Sequence, residues 1–196
     1  MHIVLLGAPG SGKGTQGDLL AAHFGVPHVS SGELLREHVA SGTDLGRQVA
    51  YFLSRGELVP DDLVLAAVAD ALNGAFEAGG YVLDGIPRTL AQAERAYALA
   101  KPAGLLADAV IYLDVPDDVA RERLAGRAET GRVDDADPAV IERRLQVFHA
   151  DTRPLLDFYR ERGLLRTIDA VQSVEAVSAA ILEVLTGEPA PDQHRG

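Results

Sequence analysis

The chain of 196 residues contains no cysteine and no tryptophan, a single methionine, and only five phenylalanines and five tyrosines. Without cysteine there can be no disulfide, no thiolate zinc ligand and no thiol nucleophile. The few aromatics are scattered and offer no stacking platform for single-stranded nucleic acid. Positive charge is scarce as well: 18 Lys and Arg face 29 Asp and Glu, a net charge of −11. A nucleic-acid binder would present a basic face instead. No apolar run approaches the roughly 20 residues needed to cross a bilayer. The chain opens on a core-like strand from residue 2, not on a basic leader followed by an apolar segment. A cytoplasmic, monomeric protein with neither a nucleic-acid nor a membrane partner is expected.

What is present is an alternation. Hydrophobic residues make up 47 % of the chain, enough for one α/β domain with small insertions. Short apolar runs at residues 2–6, 27–29, 81–83, 109–113 and 165–168 read as strands. Helical spacing predicts helices over 15–24, 32–40, 44–54, 62–72, 90–99, 117–126, 138–162 and 174–185, with Pro154 placed to kink the long one. Such alternation indicates a parallel sheet covered on both faces. Ser30 with Glu33, and Thr89 with Gln92, have the spacing of capping boxes. Two stretches fall outside the pattern: residues 30–59, with two helices, and the polar loop 128–137. Both read as inserts near the C-terminal ends of the strands, where ligands bind and lids close. The proline-containing polar tail 187–196 is expected to be disordered.

The first strand runs into Gly7-Ala8-Pro9-Gly10-Ser11-Gly12-Lys13-Gly14-Thr15, and a helix follows. Strand, glycine loop, lysine and helix form the context of a phosphate-binding loop. Glycines let backbone N–H groups converge on phosphate oxygens, the helix N-terminus adds positive potential, and Lys13 adds a full charge. Gly14 stands where a metal-holding Ser or Thr usually follows the lysine, so a magnesium ion is expected to be held through water and phosphate rather than a hydroxyl.

Asp84 ends the apolar run Tyr81-Val82-Leu83 and is either an acid facing that ion or a turn residue. Arg88 follows in Gly85-Ile86-Pro87-Arg88 and is expected in the same cleft. The basic side chains are two lysines, Lys13 and Lys101, and otherwise arginine, which suits bidentate phosphate contacts. Arg36 lies in the first insert, while Arg123, Arg127, Arg132, Arg143 and Arg144 flank or occupy the second. Each alone reads as a solvated charge; together, at the borders of two inserts, they point to a cleft that needs charge. Asp134 and Asp135 are either loop acids or partners for those arginines. The histidines show no metal spacing, and His28 and His149 read as structural.

These motifs, in this order, resemble the adenylate kinases of the nucleoside monophosphate kinase family. The likeness runs from residue 1 to about residue 186. It rests on the phosphate loop with Gln16, on Ser30-Ser31-Gly32-Glu33-Leu34-Leu35-Arg36, on Leu58-Val59-Pro60-Asp61 and on Asp84 through Arg88. Gln92 and Gly131-Arg132-Val133-Asp134-Asp135 complete it. The resemblance implies a phosphate-loop three-layer α/β/α fold with a five-stranded parallel sheet. Its core would comprise residues 1–29, 60–123 and 138–186, with a helical monophosphate-binding insert at 30–59 and a short lid at 124–137. It implies reversible transfer from MgATP to AMP, giving two ADP. By that likeness Gly10, Ser11, Gly12, Lys13, Gly14, Thr15, Arg123, Arg127, Val133 and Gln172 bind ATP. Ser31, Arg36, Glu57, Val59, Gly85, Arg88, Gln92, Arg132 and Arg144 bind AMP. Lys13, Arg88, Arg123, Arg127, Arg132 and Arg144 carry the catalysis, and Asp84 faces Mg²⁺ through water.

The chain departs from the family pattern in places. Ile86 stands where an aromatic is common, and Ser31 replaces a frequent threonine. The spacing from Asp135 is one residue longer than usual, which leaves Arg143 or Arg144 for the inward role. Residues 128–137 contain neither cysteine nor histidine, so a structural zinc has no ligand set there. A UMP/CMP kinase on the same scaffold is an alternative, though Ser31, Thr89 and Gln92 depart from that branch. Gln92 also reads as the capping partner of Thr89. A catalytically silent nucleotide sensor, from a different functional class, would be expected to have lost Lys13 or one of the phosphate arginines.

Overall fold

The computed structural model describes residues 1–129, 135 and 137–187. Five strands form one sheet: β1 (His2–Gly7), β2 (His28–Ser30), β3 (Tyr81–Asp84), β4 (Ala109–Asp114) and β5 (Leu165–Asp169). Their order is β2-β3-β1-β4-β5, and every pairing is parallel. The sheet is buried on both faces, so its central strands are continuous apolar runs rather than alternating ones. Ile3, Leu5, Val82, Val110, Ile111 and Leu113 are all essentially inaccessible. Burying each such side chain contributes about 1.5–3 kcal/mol.

The helices are α1 (Lys13–Phe24), α2 (Ser31–Ala40), α3 (Asp44–Ser54), α4 (Asp61–Glu77), α5 (Leu90–Ala103), α6 (Asp117–Glu129), α7 (Pro138–Val147), α8 (Leu155–Glu161) and α9 (Val174–Thr186). The helix expected over 138–162 is broken. Between α7 and α8 lies a π-helical turn, Phe148–Thr152, closed by Arg153 N donating to Phe148 O at 2.8 Å. Pro154 has no N–H to continue an α ladder, and the chain widens its turn just before that residue. Gly187 caps α9 in the left-handed region at φ 70°; the rest of the tail lies outside the described residues.

The apolar residues form two clusters. The larger surrounds the sheet. The smaller gathers Leu35 of α2, Val49 of α3, Val59 of the connection that follows, and Val64 and Ala67 of the first turns of α4. The helical insert of residues 30–59 therefore has its own apolar centre, which extends past the expected boundary into α4. Further along the same helix, Val68 and Ala75 belong to the larger cluster.

The two helices of the insert meet where Gly46 of α3 presses on the backbone of α2. A Cβ on Gly46 would lie 2.0 Å from the His38 carbonyl oxygen, whereas one on exposed Gly74 of α4 would meet nothing. Gly46→Ala is therefore expected to destabilise by about 1–3 kcal/mol through overpacking. Gly74→Ala should stabilise by about 0.5–1 kcal/mol through the unfolded-state entropy it removes. Urea midpoints of the two variants moving in the same direction would sink this account.

Candidate functional site: a phosphate cleft ringed by arginines

β1 is paired with β3 on one side and β4 on the other, so its end opens at the middle of the sheet. The glycine loop leaves from there and enters α1 at Lys13. Gly10, at φ +85°, brings the loop against α6, where a Cβ would lie 2.7 Å from the Ala120 carbonyl oxygen. Only glycine combines that backbone conformation with that approach. No side chain caps α1, and no acid occupies its first turn. Its leading N–H groups are left to an anion. Lys13 Nζ donates to Gly7 O at 2.8 Å and Ala8 O at 3.0 Å, folding back over its own loop.

Asp84 ends β3 opposite Leu5 of β1 and is buried beside the loop. Gly85, at φ +79°, then turns the chain; a Cβ there would strike Ser31 Oγ at 2.5 Å. The turn aims Arg88 back into the cleft, where its Nε donates to Gly85 O at 2.7 Å. Arg127 of α6, Arg144 of α7 and Arg36 of α2 reach the same cleft. Arg144 forms an ion pair with buried Asp135, while Arg143, turned about 100° around the helix, is exposed. The insert closes this wall directly: a Cβ on Gly56 would lie 2.8 Å from Val140 O and 2.9 Å from Arg144 Cγ.

The electrostatics follow from this crowding. Burial lowers the Lys13 ammonium from 10.5 to about 8. The Asp84 carboxylate works against that shift, and Arg88, Arg144 and Arg127 add to it. Arg88 is pushed down by burial, with Asp84 opposing and Arg144 reinforcing. Among the described residues, five cationic side chains line a cleft with three acids, Glu33, Glu57 and Asp84, in a chain of net charge −11. The local sign is the reverse of the molecule's, which is the arrangement for a small polyanion.

Of the residues singled out from the sequence, Gly10, Gly12, Lys13, Gly14, Arg36, Glu57, Asp84, Gly85, Arg88, Arg127 and Arg144 line this one cleft. Several others stand off its wall. Ser11 is buried, with its Oγ lodged over Gly7, and Thr15 is exposed. Ser31 is buried and donates to Gly85 O at 2.8 Å, and Val59 belongs to the insert's apolar cluster. Arg123 donates to Val171 O at 3.2 Å, which ties α6 to the loop that carries Gln172. Arg132 and Val133, with Asp134, lie outside the described residues. His28 and His149 contact Asp18 and Asp117 at 2.8 and 3.0 Å, and neither lines the cleft.

Neither capping box forms as the spacing suggested. Ser30 makes no cap hydrogen bond. It is also the last residue of β2, in register with Asp84, and its hydroxyl reaches that carboxylate at 3.5 Å. Glu33 is then left to line the cleft. Thr89 does cap α5, accepting from Gln92 N at 3.2 Å. The Gln92 side chain does not return to Thr89, however. Its Oε1 accepts from Arg88 N at 2.7 Å and its Nε2 donates to Asp61. Among the cleft residues that were missed are Glu33 as a wall and Thr152 in the π-helical turn. Glu33 was visible within the Ser30-to-Arg36 motif, whereas Thr152 carried no signal.

A parallel sheet with a glycine loop at the end of its central strand, a helix N-terminus behind it and arginines around it defines a phosphate-loop nucleotide-binding protein. Comparison narrows the class. The family model described as Adenylate kinase matches residues 5–164. An adenylate kinase of Stenotrophomonas maltophilia is 43 % identical over 188 residues, covering 95 % of this chain and all of the relative. One from Xanthomonas oryzae is 43 % identical over 185 residues, covering 94 % and 99 %. One from Kosmotoga olearia is 39 % identical over 212 residues, again covering 94 % and 99 %. That last alignment is longer than the whole chain, so this relative carries residues that the present chain lacks. The chain belongs to the adenylate kinase family.

The lowered Lys13 pKa has a measurable sign. The folded value of about 8 lies below the ordinary 10.5, so between these pH values the unfolded chain binds more protons than the folded one. Stability contributed through Lys13 therefore rises with pH across that window. A bound polyphosphate favours the charged ammonium and reverses the shift. At pH 9, ATP binding should take up close to one proton, read as a buffer-dependent heat in titration calorimetry. Binding heats independent of the buffer's ionisation enthalpy would contradict this assignment.

Proposed function

We propose that the chain catalyses direct, reversible phosphoryl transfer between MgATP and AMP, giving two ADP. The observation that carries this reading is the inverted charge of the cleft between the glycine loop and the insert. No histidine lies on the cleft wall among the described residues, and the reaction needs no general base there. The acceptor is a phosphate oxygen already ionised at neutral pH, so alignment and charge neutralisation remain, and arginines supply both.

In this reading Gly10, Gly12, Gly14 and the first amides of α1 hold the donor phosphates, with Ser11 and Thr15 shaping the loop. Lys13 leaves the carbonyls of Gly7 and Ala8 for the transferring group. Arg88 and Arg36 hold the acceptor phosphate, and Arg127 and Arg144 stand between the two nucleotides. Arg123 and the backbone near Gln172 face the donor base, while Arg132 and Val133 come from the lid. Ser31, Glu57, Val59, Gly85 and Gln92 form the acceptor-nucleoside side. Its base selection requires the Gln92 amide to exchange its present partners.

Asp84 fits a magnesium ion carried in with ATP: it is a buried hard oxygen donor beside the phosphate loop, with Glu33 on the same wall. Magnesium is commonly held by one or two carboxylates, water and substrate phosphates. The ion would supply charge neutralisation on the phosphates.

We divide the chain into a core of residues 1–29, 60–123 and 138–186, an insert of 30–59 and a short lid of 124–137; the two apolar clusters support the separation of insert from core. Among the described residues no helix is long and apolar enough to cross a membrane. We place the chain in the cytoplasm as a monomer whose partners are ATP, AMP and ADP.

The direct test is ADP formation from ATP with AMP, CMP, UMP or GMP as acceptor. AMP should be preferred by at least tenfold; CMP or UMP preferred instead would establish the pyrimidine alternative, and no transfer at all a sensor. Lys13→Met should lower turnover by about 10²–10³-fold, the scale on which a lost transition-state donor acts, while the melting temperature is maintained. Near-normal turnover in the folded variant would remove Lys13 from the reaction.

A further inference from the structure

Arg88 sits in the connection between β3 and α5, outside any ladder that would fix its peptide planes. Side chains fix them instead. Its N–H donates to Gln92 Oε1 at 2.7 Å, and its carbonyl accepts from Thr152 Oγ1 at 2.9 Å. The guanidinium donates through Nε to Gly85 O at 2.7 Å. The backbone of one cleft arginine is thus held on both sides, and one hold comes from a residue 64 positions away. Thr152 is 9 % exposed and lies on the cleft wall, so its hydroxyl is drawn from the protein interior rather than from solvent.

The route by which Thr152 reaches Arg88 is unusual. Arg144 and Thr152 both line the cleft, yet they are eight residues apart. An unbroken α-helix would turn them about 80° out of line. The π-helical turn Phe148–Thr152, closing roughly 4.4 residues per turn, brings Thr152 back to within about 10–20° of Arg144. Positions eight apart already share one broad face of an α-helix, and the widened turn brings Arg144 and Thr152 closer into line on it.

We propose that Thr152 is a positioning residue for Arg88: its hydroxyl holds the Arg88 peptide so that the guanidinium meets the acceptor phosphate. The proposal rests on the reading of Arg88 as an acceptor-phosphate ligand. Without the hydroxyl, the partly buried Arg88 carbonyl loses this donor and the peptide turns to find another. The guanidinium moves with it, and a misplacement of about 1 Å in a positioning group can cost on the order of 10²-fold in rate.

The test uses the full chain with Thr152→Val, which keeps the shape and removes the hydroxyl, and Thr152→Ser, which keeps the hydroxyl. If the valine variant does not fold, Thr152→Ala takes its place. The variant without the hydroxyl should raise KM for AMP about five- to twentyfold and leave KM for ATP within twofold. Serine should restore KM for AMP to within about twofold of the parent. In an Arg88→Ala background the loss of the hydroxyl should add nothing to KM for AMP, because the group through which it acts is gone. An unchanged KM for AMP in the parent background, equal rises for both nucleotides, or a full additional rise in the Arg88→Ala background would each overturn the positioning role. An Arg88→Ala variant with normal KM for AMP would instead overturn the assignment of Arg88 itself, whatever Thr152 does.

Discussion

Like charge confined to a partly buried space is the constraint on which this molecule turns. Lys13, Arg88, Arg127 and Arg144 influence one another around a single strand-end carboxylate, Asp84. Such an arrangement is unfavourable without a counter-charge, because desolvation and mutual repulsion both oppose ionisation. The fold meets this by holding the groups on rigid parts. Lys13 rests on the carbonyls of Gly7 and Ala8, Arg88 on Gly85, and Arg144 on buried Asp135. Asp84 is tied to the loop by the register of β3 with β1. The stability for this comes from elsewhere, chiefly from a sheet whose central strands are fully buried.

The same constraint explains the choice of ligand. A polyphosphate brings several negative charges on one small frame, and only such a ligand can relieve four cations at once. Large polyanions meet a surface of net charge −11 before they meet the cleft, and general electrostatics disfavours their approach. Arginine suits this task better than lysine. Its guanidinium stays charged under desolvation and binds two oxygens at once. Lys13, the one lysine on the wall among the described residues, is the cleft cation whose ammonium pKa is lowered by burial to about 8.

Much of this was readable from the residues because it depends on local pattern. The strands expected at 2–6, 81–83, 109–113 and 165–168 each extend one residue further at the C-terminal end, the end where the functional side chains begin. Asp84 is such a residue: apolar periodicity stops before it, but the ladder does not. The phosphate loop and the arginines were legible because glycine spacing and charge have few other uses in that context. What stayed hidden was the routing of hydrogen bonds between distant segments. The spacing of Ser30 and Glu33 promises a cap, yet the register of β2 against β3 draws the serine toward Asp84. The π-helical turn was hidden for a related reason. Helical periodicity over 138–162 has room for one widened turn, and apolar spacing does not mark where it falls.

The two apolar clusters set how the cleft can work. Arg36 and Glu57 stand on an insert packed around Leu35, Val49 and Val59, whereas Lys13, Arg127 and Arg144 stand on elements packed around the sheet. The bodies are joined through α4, which contributes to both, through Ile86, which packs against both, and through the contact of Gly56 with α7. Side chains within each body are fixed by dense packing, so each wall keeps its geometry. The two walls are thus held by separate apolar centres that meet at a few shared residues. A transfer between two phosphates makes two demands. The reacting oxygens must be aligned by rigid groups, and water must be excluded only after both nucleotides are in place. Separate packing of the insert and of the sheet gives the cleft two sides, each fixed by its own apolar centre.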